Sequence, residues 1–237
     1  MQKLTNKEIT PLVDVPVQRT GKTGGFKDVR AEKLLASGSP KCVESKQTYA
    51  DGNCLYMAMS RIICGDEDRH VEQRMRTFIE LCKNKDKYLN DCYLKESTSL
   101  DDYVENLLGS SFDLSSKTKR KQNTEHQREG FEAGIVDTIK PGTYSTMWHF
   151  FALSNILGFP IQTVYPEVKG SLVNRNYVNV LITPSQMQHP KVAYIMRTHT
   201  SNVDFHGWTP NHFVLLIPVP PLAVGAAKAK PSAPPLR

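Results

Sequence analysis

No apolar run in the 237 residues approaches the roughly 18 that a membrane-spanning helix requires. The opening stretch, MQKLTNKEITPLVDV, lacks the apolar core of a secretory leader. No membrane partner is therefore expected. CxxC pairs are absent, and so are HxxxH pairs, which removes the usual spacing of a structural zinc site and leaves no cofactor implied. The five cysteines (Cys42, Cys54, Cys64, Cys82 and Cys92) are an odd number at separations of 12, 10, 18 and 10. Without a leader they fit a reducing, intracellular setting, cytoplasmic or nuclear, rather than a disulfide framework. Charge of one sign is also scarce. The formal net charge of +6 is spread along the chain and does not argue for nucleic acid. GKTGG at 21–25 lacks both the spacing and the preceding strand of a phosphate loop.

What is present is an ordinary mixture, 39% hydrophobic and 23% charged, long enough for one substantial core. Residues 1–40 show little apolar periodicity and are expected to form an irregular arm with a short helix near Val29–Ala36. From Cys54 to Ile63 the chain is apolar nearly all round, which predicts a helix in the middle of a domain, ended by Gly65. A second helix is predicted over Arg69–Lys83, with Val71, Met75, Phe78, Ile79 and Cys82 on its buried face. A third is predicted around Leu100–Leu108. Ser110–Glu129 is polar and reads as a connection. Its cluster Lys117, Lys119, Arg120, Lys121 is a solvated stretch, a nuclear address or a nucleic-acid patch. A helix follows over Thr143–Gly158, with Gly158 as cap and His149 on its polar side.

Beyond Pro160 the period shortens. Ile161–Tyr165, Tyr177–Thr183, Val192–Thr198 and Phe213–Pro218 read as strands. Helices first and strands later predict an α+β domain over 41–219, followed by a flexible Pro/Ala-rich tail over 220–237.

The most informative stretch is YADGNCLYMAMS, Tyr49–Ser60, where Asp51, Gly52 and Asn53 lead straight into Cys54 at a helix start. A sulfur placed there is favoured as thiolate by the free N–H groups and the helix dipole. Gly52 permits a sharp turn, Asp51 or Asn53 can cap the helix, and the N–H groups around Gly52–Cys54 can serve as an oxyanion hole. The other reading is a core cysteine, since free cysteines are among the most buried residues. A nucleophile needs a base. Of the seven histidines, His212 has the most suggestive setting, at the start of the last apolar strand after Trp208-Thr-Pro-Asn211.

DGNCLYMAMS resembles the D-G-N-C-L-[FY]-x-[AS] motif of the ovarian tumour (OTU) family of cysteine proteases. WTPNHFVLL is similar to that family's C-terminal histidine motif, and FFALSNILGFPIQTVYP to its middle helix and strand. The resemblance implies a papain-like OTU fold, helices packed on a small, mostly antiparallel sheet. It implies a deubiquitinase, a thiol hydrolase of ubiquitin or ubiquitin-like isopeptide bonds, acting as a monomer. Cys54 would be the nucleophile, His212 the base, and Asp51, with Gly52 and Asn53, the shaper of the oxyanion loop. Many members carry Asn or Asp two residues after the histidine, where this chain has Val214. Asn211, Asn202 and Asp204 are candidates for that orienting role. Trp208 and Asn211 are candidates for lining a substrate channel. Other readings are an OTU-like module that grips ubiquitin without cutting it, and a polyprotein-processing protease.

Overall fold

The computed structural model describes residues 25–35, 43–90, 123–168, 178–200 and 210–219. In chain order the elements are α1 (Val29–Leu35), β1 (Val43–Lys46), α2 (Cys54–Cys64), α3 (His70–Lys83), α4 (Lys85–Asn90), α5 (Asn123–Thr138), α6 (Met147–Leu157), β2 (Ile161–Val164), β3 (Leu181–Ile182), β4 (Ala193–Thr198) and β5 (His212–Pro218). The strands form one sheet in the order β1-β5-β4-β2-β3. Only β2 and β4 run parallel; the other pairs are antiparallel. The α+β class and the mostly antiparallel sheet are as the sequence predicts.

Alternation along β5 divides the hydrophobic interior in two. Phe213 and Leu215 point into the larger core, with Cys54, Leu55, Met59, Phe131, Phe150 and Leu153. Val214 and Leu216 point the other way, into a smaller core with Ala31, Leu34, Val164, Tyr165 and Met196. α1 thus covers the second face of the sheet. Asp28 Oδ1 caps it by accepting the N–H groups of Arg30 (3.0 Å) and Ala31 (2.9 Å). Glu32 Oε1 ties it to β1 by accepting the Ser45 N–H at 2.9 Å. Residues 25–35, assigned by the sequence to an irregular arm, belong to the packed unit.

The helix from Cys54 is buried over Cys54–Ser60 and ends at Gly65, whose φ of 87° is the left-handed conformation glycine tolerates best. α3 has the predicted extent but not the predicted face. Val71 is 59% exposed and Met75 38%, whereas Gln73, Arg74, Thr77 and Leu81 are buried. Of these buried polar side chains, Arg74 reaches the loop at the start of α2, while the Thr77 hydroxyl donates back to Gln73 O at 2.8 Å. α5 is a further departure: a helix occupies 123–138, overlapping the stretch read as a polar connection. β1 also has no counterpart in the predicted elements. The predicted helix near Leu100–Leu108, the cluster at 117–121, Tyr177 and the tail over 220–237 lie outside the described residues.

His149 is not on a polar face. It is 3% exposed, beneath α2, with its ring edge-on to Tyr56. Its Nδ1 accepts the Thr146 N–H at 2.7 Å, and Nε2 lies 2.9 Å from Thr138 Oγ1. The Thr138 hydroxyl donates to Gly134 O at 2.8 Å, so Nε2 carries the proton and donates to Thr138. Burial pushes this histidine down to about 4, against the Thr146 carbonyl, 3.3 Å from Nδ1, which favours a protonated ring and raises it.

The sign of the linkage follows. The unfolded chain takes up a proton as pH falls below about 6.5, while the folded chain resists until about 4. Stability should therefore fall by about 2 kcal/mol between pH 7 and pH 5 from this group alone, with the buried His212 acting in the same direction. Urea unfolding across that interval measures it. A constant midpoint would contradict the buried neutral ring.

Candidate functional site

The loop before α2 folds on itself first. Asp51 Oδ1 accepts the Asn53 N–H and Oδ2 accepts the Asn53 side-chain amide, both at 2.9 Å. This is the turn that short acidic side chains favour. Asp51 therefore shapes the loop, while neither Asp51 nor Asn53 caps α2 with its side chain. The expected cap is missing because both side chains are committed within the loop and to α3. Gly52 has φ 82°, and a Cβ there would stand 1.9 Å from Gly142 O. No other residue fits without displacing the 140–143 turn.

Arg74 of α3 holds this loop. Its Nε donates to Asn53 Oδ1 at 3.0 Å. Nη2 donates to Gly52 O (2.9 Å) and Thr143 O (3.0 Å). Nη1 donates to Thr138 O (3.0 Å), Lys140 O (3.1 Å) and Thr143 Oγ1 (3.1 Å). The guanidinium lies over the Tyr56 ring at 4.4 Å, a cation–π contact. One planar group thus joins the α2 loop to the turn between α5 and α6. Nothing in the periodicity of α3 singles out this arginine. Its signal is the stripe Gln73, Arg74, Thr77, Leu81, which repeats at helical spacing beside the apolar one.

Cys54 is 1% exposed at the first position of α2. Its sulfur is approached by the backbone N–H groups of Phe213, Leu55 and Cys54 itself, which favour the thiolate. Burial opposes them and prevails, and the charge of Asp51 adds to it, so the thiol is pushed up to about 11. The helix N-terminus alone does not activate this sulfur.

His212 opens β5, and alternation sets it on the α1 side, where Asp28 and Arg30 act on it electrostatically. Its ring is nearly buried. That burial, chiefly, moves its pKa below the ordinary imidazole value. Nε2 lies 3.2 Å from Thr48 Oγ1, the Thr48 backbone favours the protonated ring, and Nδ1 is buried with no hydrogen-bond partner among the described residues. The Phe213 N–H at the sulfur places Cys54 one peptide unit from His212. No hydrogen bond joins Sγ to the imidazole.

Val214 is fully buried in the smaller core, where an orienting Asn or Asp would face Ala31 and Leu34 rather than water. Asn211 does not turn to His212. Its Oδ1 accepts the Thr200 N–H at 3.0 Å and its Nδ2 donates to Thr200 Oγ1 at 3.1 Å, closing the β4–β5 connection. Asn202, Asp204 and Trp208 lie outside the described residues. Thr48 went unrecognised. It lies in the extended segment after β1, and no motif marks it.

Arg74→Lys should destabilise the fold by about 3 kcal/mol, because one ammonium cannot reach the carbonyls and amide now shared by three nitrogens. Chemical denaturation of the two proteins measures the difference. A loss below about 1 kcal/mol would show that the loop is held by other means.

A family model described as the OTU domain of Vertnin matches residues 46–198, well over half of the chain. Vertnin of Danio rerio is 26% identical over 226 residues, covering 93% of this chain and 32% of that one. Vertnin of Homo sapiens is 25% identical over 173 residues, covering 71% and 23%. The chain thus spans about a third or less of the length of these relatives. Among solved structures, the OTUD1 OTU domain is 13% identical with a TM-score of 0.39, covering 74% of this chain and 85% of that one. The Hazara virus OTU bound to ubiquitin is 11% identical with a TM-score of 0.36, covering 74% and 80%. By the extent of the family match, the chain belongs to the Vertnin OTU domain family.

Proposed function

We propose that this domain is a cysteine hydrolase of ubiquitin or ubiquitin-like conjugates, with Cys54 as nucleophile and His212 as base. One observation carries the reading: the Cys54 sulfur sits where α2 begins, among three backbone N–H groups and one peptide from a histidine whose Nδ1 has no hydrogen-bond partner among the described residues. Relatives in this fold support the substrate class, one of them having been solved with ubiquitin bound.

His212 Nδ1 takes the thiol proton as Sγ attacks the carbonyl carbon of the isopeptide bond. The oxygen of the tetrahedral intermediate is stabilised by N–H groups of the loop that Asp51 and Arg74 hold. The imidazolium returns its proton to the leaving lysine nitrogen, the C–N bond breaks, and a thioester remains. His212 then deprotonates a water molecule, which attacks the thioester. Collapse releases a carboxylate and the free thiol.

The resting pair is neutral in this scheme. A thiol pushed up to about 11 and an imidazole moved below its ordinary value both place the ion pair above the neutral pair. Proton transfer is thus part of the barrier to attack.

The same neutrality favours a second reading, a domain that binds ubiquitin without cleaving it. Incubation with ubiquitin carrying a C-terminal electrophile, read by intact mass, separates the two. A hydrolase gives one adduct on wild type and none on Cys54→Ala. A folded wild type that binds ubiquitin but forms no adduct would establish the binding module instead.

A further inference from the structure

We infer that Thr48 is the positioning residue for His212, in place of the polar side chain that Val214 does not supply, and that it fixes the imidazole as the Nε2–H tautomer with Nδ1 as the basic nitrogen. The inference rests on the hydrolase reading for its purpose but not for its geometry.

A threonine hydroxyl has one proton to give. That of Thr48 goes to Phe213 O at 2.5 Å. Towards His212 Nε2, 3.2 Å away, the same oxygen can only accept, so Nε2 must bear hydrogen. A neutral imidazole has a single N–H, which leaves the lone pair on Nδ1. Thr48 is itself 3% exposed and cannot be replaced at Nε2 by bulk water. Because it bonds the backbone of the residue that follows His212, it ties ring and strand together.

His149 provides the comparison within the same molecule. There too a threonine, Thr138, donates to a carbonyl and accepts from Nε2. At His149 the second nitrogen is also occupied, by the Thr146 N–H. At His212 it is buried and has no partner among the described residues. A buried polar atom without a partner is uncommon in folded proteins. The two histidines are held alike at Nε2. At Nδ1 they differ, because the lone pair of His212 is not taken up by a donor among the described residues.

The test uses the whole chain with 15N-labelled histidine, as wild type, Thr48→Val and Thr48→Ser. Two-bond 1H–15N spectra near pH 7.5 report the tautomer, and the directly bonded Nε2–H signal reports the hydrogen bond. In wild type His212 should show the Nε2–H pattern with an observable Nε2 proton. In Thr48→Val that proton signal should vanish and the ring should average between tautomers. Adduct formation with the ubiquitin electrophile should fall about tenfold or more. Thr48→Ser, which keeps the hydroxyl, should restore both. The His149 signals, unchanged in all three, report that the fold survives. An Nδ1–H tautomer in wild type, or an Nε2 proton signal that persists in Thr48→Val, would overturn the inference. If the tautomer follows Thr48 while wild type forms no adduct, the positioning role stands and the hydrolase reading fails.

Discussion

The site depends on one buried arginine. Arg74 brings donors in a fixed planar fork to carbonyls from Gly52, Thr138, Lys140 and Thr143 and to the amide oxygen of Asn53. A lysine ammonium presents a point charge and cannot span that set. The groups Arg74 satisfies lie in the loop before α2 and at the end of α5 and the turn that follows it, where buried carbonyls need donors. Gly52 and Gly142 let the backbones of these turns come close enough to share the guanidinium. Cys54 is the first helical residue after the loop so clamped, and its position is inherited from this contact.

The chemistry of the site is decided by burial rather than by the helix dipole. Three N–H groups approach the Cys54 sulfur, yet the thiol remains harder to ionise than a free cysteine. His212 is likewise harder to protonate than a free histidine. Each shift disfavours the charged form, and together they disfavour the ion pair. A neutral Thr48 at Nε2 orients the ring but does not stabilise imidazolium as a carboxylate would. Val214 belongs to the same pattern, because the position two residues beyond His212 is given to the core beneath α1. A domain arranged this way rests with its thiol protonated.

Local signals in the sequence are strong where one residue type has one physical use. Gly65 and Gly158 mark helix ends because the left-handed conformation at each favours glycine. The apolar run from Cys54 is buried as its composition requires. The failures are of another kind. The face of α3 could not be read from hydrophobicity, because its buried stripe is largely polar, with Arg74 turned to the loop before α2. His149 looks like a surface residue until Thr138 and Thr146 are placed around it. β1 is short and carries little period, and it earns its order only by pairing with β5; the short helix expected near Val29–Ala36 is present as α1, and what the sequence did not show is that it covers Val214 and Leu216. Thr48 is one threonine among many until the register of β1 against β5 sets it beside His212 Nε2.

The most direct test of the neutral pair is the thiolate absorbance near 240 nm, taken as the difference between wild type and Cys54→Ser from pH 5 to pH 10. A resting neutral thiol predicts no thiolate signal from Cys54 at pH 7 and a rise only as the pH approaches 10. A difference signal already complete at neutral pH would contradict it. It would show that the sulfur and His212 rest as an ion pair.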